Sequence, residues 1–182
     1  NIMIDEDGRA ILTDFGIAKA LGKSLTRTGT SLGTPFYMAP EQIKAGMNVT
    51  RRADLYAVGI VFFEMLAGRV PFPGSDAISI GYKHVHEKPP SLAEFNRRVS
   101  SDLELFVLKA LEKRPKDRYS SADEMLSQLD KLEKGESLDI ELVPFDEMVP
   151  RSTLVAEIEQ HKKASLFQRL KVLSVISVLC FA

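Results

Sequence analysis

The 182-residue chain has one cysteine and no tryptophan, and neither charge sign dominates: 24 Lys and Arg stand against 25 Asp and Glu, for a formal net charge of -1. A single thiol, Cys180, cannot close an internal disulfide or build a thiolate zinc site, which excludes disulfide scaffolds and zinc modules. Its place in an apolar tail fits a reducing compartment for the folded part. Near-neutrality removes the global field that attracts nucleic acid, so no nucleic-acid partner is expected. There is no internal repeat and no signal peptide, and the chain starts at Asn1 rather than Met. Both ends read as cut, so a fragment is expected. What remains is an apolar content of 45%, ordinary for a globular core.

Residues 1–5 and 9–13 are β-rich runs around Glu6-Asp7-Gly8, where Asp-Gly supplies the positive φ of a tight hairpin. Residues 20–34 are rich in Gly, Ser, Thr and Lys without periodicity, which predicts a surface loop. Between Asp54 and Gly68 the chain is apolar on every helical face, with Glu64 the one charge in the run from Leu55 to Leu66. Such a helix belongs at the centre of a helical core and is too short to span a bilayer, which takes about 20 residues. Asp54 stands at its start, where a carboxylate caps free N–H groups. Helical spacing recurs at 75–87, at 101–111 through Leu103, Phe106, Val107, Ala110 and Leu111, and at 121–132 through Met125, Leu126, Leu129 and Leu132. The folded region is expected to end near Lys134-Gly135. An acidic, Pro-containing linker follows, then a basic flank (His161, Lys162, Lys163, Arg169, Lys171) before the apolar residues 172–182.

Asp14-Phe15-Gly16 follows a strand and pairs a carboxylate with a glycine that lets the backbone turn sharply. Alone it says little. Some twenty residues on lies Gly33-Thr34-Pro35-Phe36-Tyr37-Met38-Ala39-Pro40-Glu41, and Asp54 opens the apolar helix 13 residues after Glu41. In this order the motifs resemble the protein-kinase family: Asp14-Phe15-Gly16 matches its metal-binding motif, Ala39-Pro40-Glu41 the end of its activation segment, and Asn1 the last residue of its catalytic loop. Arg118, within Arg114-Pro115-Lys116-Asp117-Arg118, falls where the family places the ion-pair partner of that glutamate. The resemblance covers residues 1–134.

The fold class it implies is mainly α with a small β-hairpin, the incomplete C-terminal lobe of the α+β protein-kinase-like fold. The activity it implies is transfer of the ATP γ-phosphate to Ser and Thr hydroxyls of protein substrates. Asp14 and Asn1 are the implied magnesium ligands beside the nucleotide phosphates, since hard oxygen donors suit that ion. Met3 resembles the residue beneath the adenine ring, with plain hairpin packing as the alternative. Thr34 carries the resemblance to serine/threonine rather than tyrosine kinases. Thr26 and Thr28 are expected phosphorylation sites, with Lys19 or Arg27 as partners, unless the loop's hydroxyls merely keep it solvated. Phe15, Gly16, Glu41, Asp54 and Arg118 are expected structural positions, and a homodimer phosphorylating in trans is an implied assembly. Glu64 either faces basic substrate residues or makes a structural hydrogen bond. His84 and His86 alternate along a helix and do not share a face, which argues against a metal site.

The family's Gly-rich loop, phosphate-binding lysine and catalytic aspartate all precede Asn1, so this polypeptide alone is expected to be inactive. The isolated chain is also expected to be poorly soluble. Residues 172–182 reach about 17 Å as a helix, against a hydrocarbon core of about 30 Å. They read as the start of a truncated membrane span or as a buried C-terminal helix. In the first case the domains are a partial kinase domain at 1–134, a juxtamembrane linker at 135–170 and a span beginning at 171, with the kinase anchored on the cytoplasmic side of the cell membrane. That order resembles the bacterial receptor-type serine/threonine kinases. A pseudokinase scaffold is the competing reading, disfavoured by the retained Asn1, Asp14 and Gly16; a small-molecule phosphotransferase is disfavoured by the full Ala-Pro-Glu segment.

Overall fold

A computed structural model describes residues 2–13, 35–44 and 48–145. Two units are distinguished, Asn1–Pro35 and Phe36–Ala182. In the first, strand β1 (Ile2–Ile4) pairs antiparallel with β2 (Ala10–Leu12), bringing Met3 opposite Ile11. The turn closes because Gly8 takes φ +79° and its N–H donates to the Asp5 carbonyl at 3.0 Å. Asp5 also accepts the backbone N–H groups of Asp7 and Arg9 through Oδ1, at 3.1 and 2.7 Å. These side-chain bonds hold a turn that six strand residues alone would barely stabilise.

The second unit is helical. Helix α1 (Pro40–Ile43) starts on a proline, which needs no hydrogen bond at that position, and the Gln42 side chain accepts from Ala39 N–H at 2.8 Å. Helix α2 (Arg52–Ala67) is the long apolar segment. Helices α3 (Ala77–His86), α4 (Ser101–Ala110) and α5 (Ala122–Lys134) follow. Each begins at a side chain that accepts its free amides: Asp76 from Ile78 and Ser79, Ser100 from Leu103, Ser121 from Glu124. Helix α2 ends at Gly68, whose φ of +72° is the left-handed stop that glycine adopts without a Cβ penalty.

The core forms where α2 crosses α4. Tyr56, Ile60 and Phe63 of the first and Phe106 and Val107 of the second are fully buried, each worth roughly 1.5–3 kcal/mol of apolar burial. The crossing is close because position 59 is glycine: a Cβ there would stand 2.7 Å from the Ala110 Cβ. Tyr119 closes the base, its hydroxyl donating to the Phe106 carbonyl at 3.0 Å.

Three expectations need correction. Helix α2 is not buried on all sides: Ala53, Leu55, Tyr56, Gly59, Ile60 and Phe63 face the core, whereas Met65 is 74% exposed. Asp54 does not cap it. The helix starts at Arg52, so Asp54 is its third residue and projects outward, exposed, while the first amides turn back to Thr50 and Arg51. Nor does ordered packing stop at Gly135. Residues 136–145 run back over α4 and α5, with Leu138 and Ile140 against the core. Asp139 N–H donates to Gln128, Lys109 to the Glu141 carbonyl and Val143 N–H to Glu112. Within α5 the buried stripe accordingly includes Gln128, and Leu126 is 56% exposed.

Candidate functional site

The most tightly determined polar site in the second unit is built on Arg118, which leaves the short 3₁₀ turn Pro115–Asp117. Its guanidinium meets Glu41 of α1 as a fork, Nη1 donating to Oε1 and Nη2 to Oε2, both at 2.7 Å. Neither side chain is exposed. The remaining N–H groups donate to the backbone carbonyls of Glu112 (Nε, 2.7 Å), Arg52 (Nη1, 3.0 Å) and Lys113 (Nη2, 3.1 Å). All five donors are therefore used, and the charge is neutralised where it is buried. The plane also lies 4.7 Å from the Tyr56 ring centroid, a cation–π contact. One side chain thus ties together α1, the start of α2 and the loop after α4.

A second polar layer lies beside it. The Tyr56 hydroxyl and His84 Nδ1 share a buried hydrogen bond of 2.8 Å, and Lys113 donates to the His84 carbonyl at 2.8 Å with its ammonium 4.2 Å from the Phe72 ring centre. Burial, reinforced by the Lys113 charge, pushes the His84 imidazole down to about 4. Burial, with the Arg118 charge second, pushes the Lys113 ammonium down to about 7. Burial likewise raises the Tyr56 phenol. His84 is thus a neutral core residue; the Tyr82 and His86 rings stack at 4.5 Å, and no metal-holding group of His, Cys, Asp or Glu occurs among the described residues.

Of the residues singled out in the sequence, the structure brings Glu41 and Arg118 together. It places Asp54 at the surface of α2 and Met3 on the hairpin, 62% exposed. Glu64 accepts the Tyr37 hydroxyl at 2.7 Å, a structural hydrogen bond that raises the Tyr37 phenol. Asn1, Asp14, Phe15, Gly16, Thr26, Thr28 and Thr34 lie outside the described residues, as does the apolar stretch at 172–182. Among the described residues no helix is long and apolar enough to cross a membrane. Sequence reasoning passed over Lys113 and Tyr56 as members of the polar layer. The available signal was Glu112-Lys113, two charges directly continuing an apolar helix, where burial demands partners.

The protein kinase domain family matches this sequence over residues 1–129. The chain is 43% identical over 130 residues to a probable serine/threonine-protein kinase PknB of Lactococcus lactis, a match covering 71% of this chain and 21% of that protein. It is 44% identical over 126 residues to the serine/threonine-protein kinase PrkC of Bacillus subtilis, covering 69% and 19%. To the serine/threonine-protein kinase PknB of Mycobacterium tuberculosis it is 41% identical over 139 residues, covering 75% and 22%. The chain thus spans about a fifth of the length of the curated relatives it matches. With the family's motifs in order and over two thirds of the chain matched, this polypeptide belongs to the protein kinase domain family, as a part of that domain related to bacterial serine/threonine kinases.

Proposed function

We propose that the intact protein transfers the γ-phosphate of ATP to serine and threonine hydroxyls of protein substrates. The observation that carries this reading is the buried Glu41–Arg118 fork, which fixes the end of the Gly33-to-Glu41 segment to the helical core. A segment that positions a protein substrate needs such an anchor, because phosphoryl transfer depends on alignment more than on covalent help from the enzyme. The relatives' descriptions as serine/threonine-protein kinases support the acceptor class, and Thr34 agrees with it by resemblance. Asn1 and Asp14 would hold magnesium, which counters the charge on the phosphoryl oxygens in transit. Met3 would lie beneath the adenine ring.

The same reading includes a kinase portion at 1–134 and activation by phosphate on Thr26 and Thr28, acquired in trans within a homodimer. It also includes a juxtamembrane linker, packed on the helical core up to residue 145, that leads to a membrane span starting at 171, with the basic flank on the cytoplasmic side.

The test is Asp14→Ala in the intact protein, assayed for phosphate transfer to a Ser/Thr peptide with and without magnesium. The reading predicts loss of transfer in the variant and strict dependence on the ion in the parent. Retained activity in the variant would overturn it. Carbonate extraction of cell membranes tests the anchor, which should keep the protein in the pellet.

A further inference from the structure

Between the end of α1, the start of α2 and the loop after α4 lies a pocket of about 550 Å³. Its lining carries six basic side chains, Lys44, Arg51, Arg52, Lys113, Arg114 and Lys116. They are gathered there although the chain as a whole has a net charge of -1. The acid in the wall, Glu41, is spent on Arg118. Asp117, next to Lys116 in the chain, pairs with Arg114. Arg52 is held in the wall by its bond to the Pro115 carbonyl at 3.0 Å, and Lys113 lies buried behind it. Lys44, Arg51 and Lys116 stand exposed at the rim, with no ion pair among the described residues. Thr50, Ser120, whose hydroxyl donates to Glu124, and the apolar Pro40, Val85 and Pro115 complete the lining.

Like charges crowded around one concavity repel each other, and they stay because Arg118 binds the backbone carbonyls of Arg52 and Lys113 together with the Glu41 carboxylate. A dianion entering this concavity would relieve the repulsion and find both guanidinium forks and point charges. A pocket of this size has room for a phosphate ester and the backbone on either side of it. The arrangement matches the way arginine clusters read phosphorylated side chains.

We propose that this pocket is a binding site for a phosphorylated serine or threonine side chain, held by Arg51, Lys116 and Lys44 at the rim and Arg52 and Arg114 in the wall. The ligand comes from a separate phosphoprotein or from a phosphorylated residue of this same chain. The inference concerns binding and goes beyond the transferase reading; titration measures it without any activity assay.

The experiment is a fluorescence-anisotropy titration of the intact protein with a short Ala/Gly/Ser peptide carrying one phosphothreonine, beside its unphosphorylated twin. The phosphopeptide should bind at least about tenfold more tightly than the twin, and more weakly as salt rises. The double variant Arg51→Ser/Lys116→Ser alters only exposed side chains and should keep its melting temperature. It should weaken phosphopeptide binding by about tenfold or more, and Lys116→Arg alone should retain it. Equal binding of the two peptides both before and after phosphatase treatment, or an unchanged affinity in the folded double variant, overturns the proposal. So does inorganic phosphate competing on a par with the peptide, which would mark an unspecific anion sink. Repeating the titration after phosphatase treatment separates the sources. Binding that appears only after treatment assigns the site to the chain's own phosphoresidue, and binding in both states assigns it to a partner protein.

Discussion

Two arginines in this chain pair with carboxylates at nearly the same distance: Arg118 with Glu41 at 2.7 Å and Arg9 with Asp5 at 2.8 Å. Their surroundings differ completely. Both side chains of the first pair have no exposed surface, while Arg9 is 73% exposed. In water an ion pair competes with hydration and salt, and its net contribution is small. In the core the same contact is obligatory, because either partner left alone would be a buried, unpaired charge. Distance therefore ranks the two pairs as equals, and burial with complete donor use separates them.

The comparison is sharpened most by Arg118→Ala in the complete catalytic domain. It orphans Glu41 and three backbone carbonyls and should cost about 3–5 kcal/mol, read as a large fall in the urea midpoint. Arg118→Lys should also destabilise, since an ammonium has three donors where five are used. An unchanged melting curve in either variant would refute the anchoring role.

Next in size is acid sensitivity from the layer beneath the fork. The His84 imidazole is pushed down to about 4, below its ordinary 6.5, by burial and the nearby Lys113 ammonium. On acidification the unfolded chain takes up the proton first. The stabilisation is therefore complete above about 6.5 and is lost as pH falls toward 4, by an amount on the order of 3 kcal/mol. Denaturation midpoints across this window should fall less steeply in His84→Gln than in the parent. Parallel pH profiles would show that His84 titrates normally. The smallest effect belongs to Arg9→Ala, which should leave the midpoint within measurement error.

Much of the fold was legible because its signals are local or periodic. Asp7-Gly8 announced the hairpin, and the apolar spacing of 101–111 and 121–132 announced α4 and α5 within a residue or two. The partnership of Glu41 and Arg118, 77 residues apart, came from family resemblance, since nothing periodic links such distant positions. Helix α1 was missed because four residues show no period. The return of 136–145 over α4 was hidden by its acidic, proline-containing composition. Yet Leu138, Ile140 and Leu142 alternate with charged residues, a strand-like signal that could have revealed one packed face. The start of α2 was set by a Thr50 turn rather than by a carboxylate, which moved Asp54 from the cap into the first turn.

The anchoring of the activation-segment end by a buried charge pair is tested most directly by a double-mutant cycle on Glu41→Gln and Arg118→Met, run beside one on Asp5→Asn and Arg9→Met, with stability as the readout. The account predicts a coupling of about 3 kcal/mol for the buried pair and none above error for the exposed one. Equal couplings at the two sites, or none at Glu41 and Arg118, would contradict it.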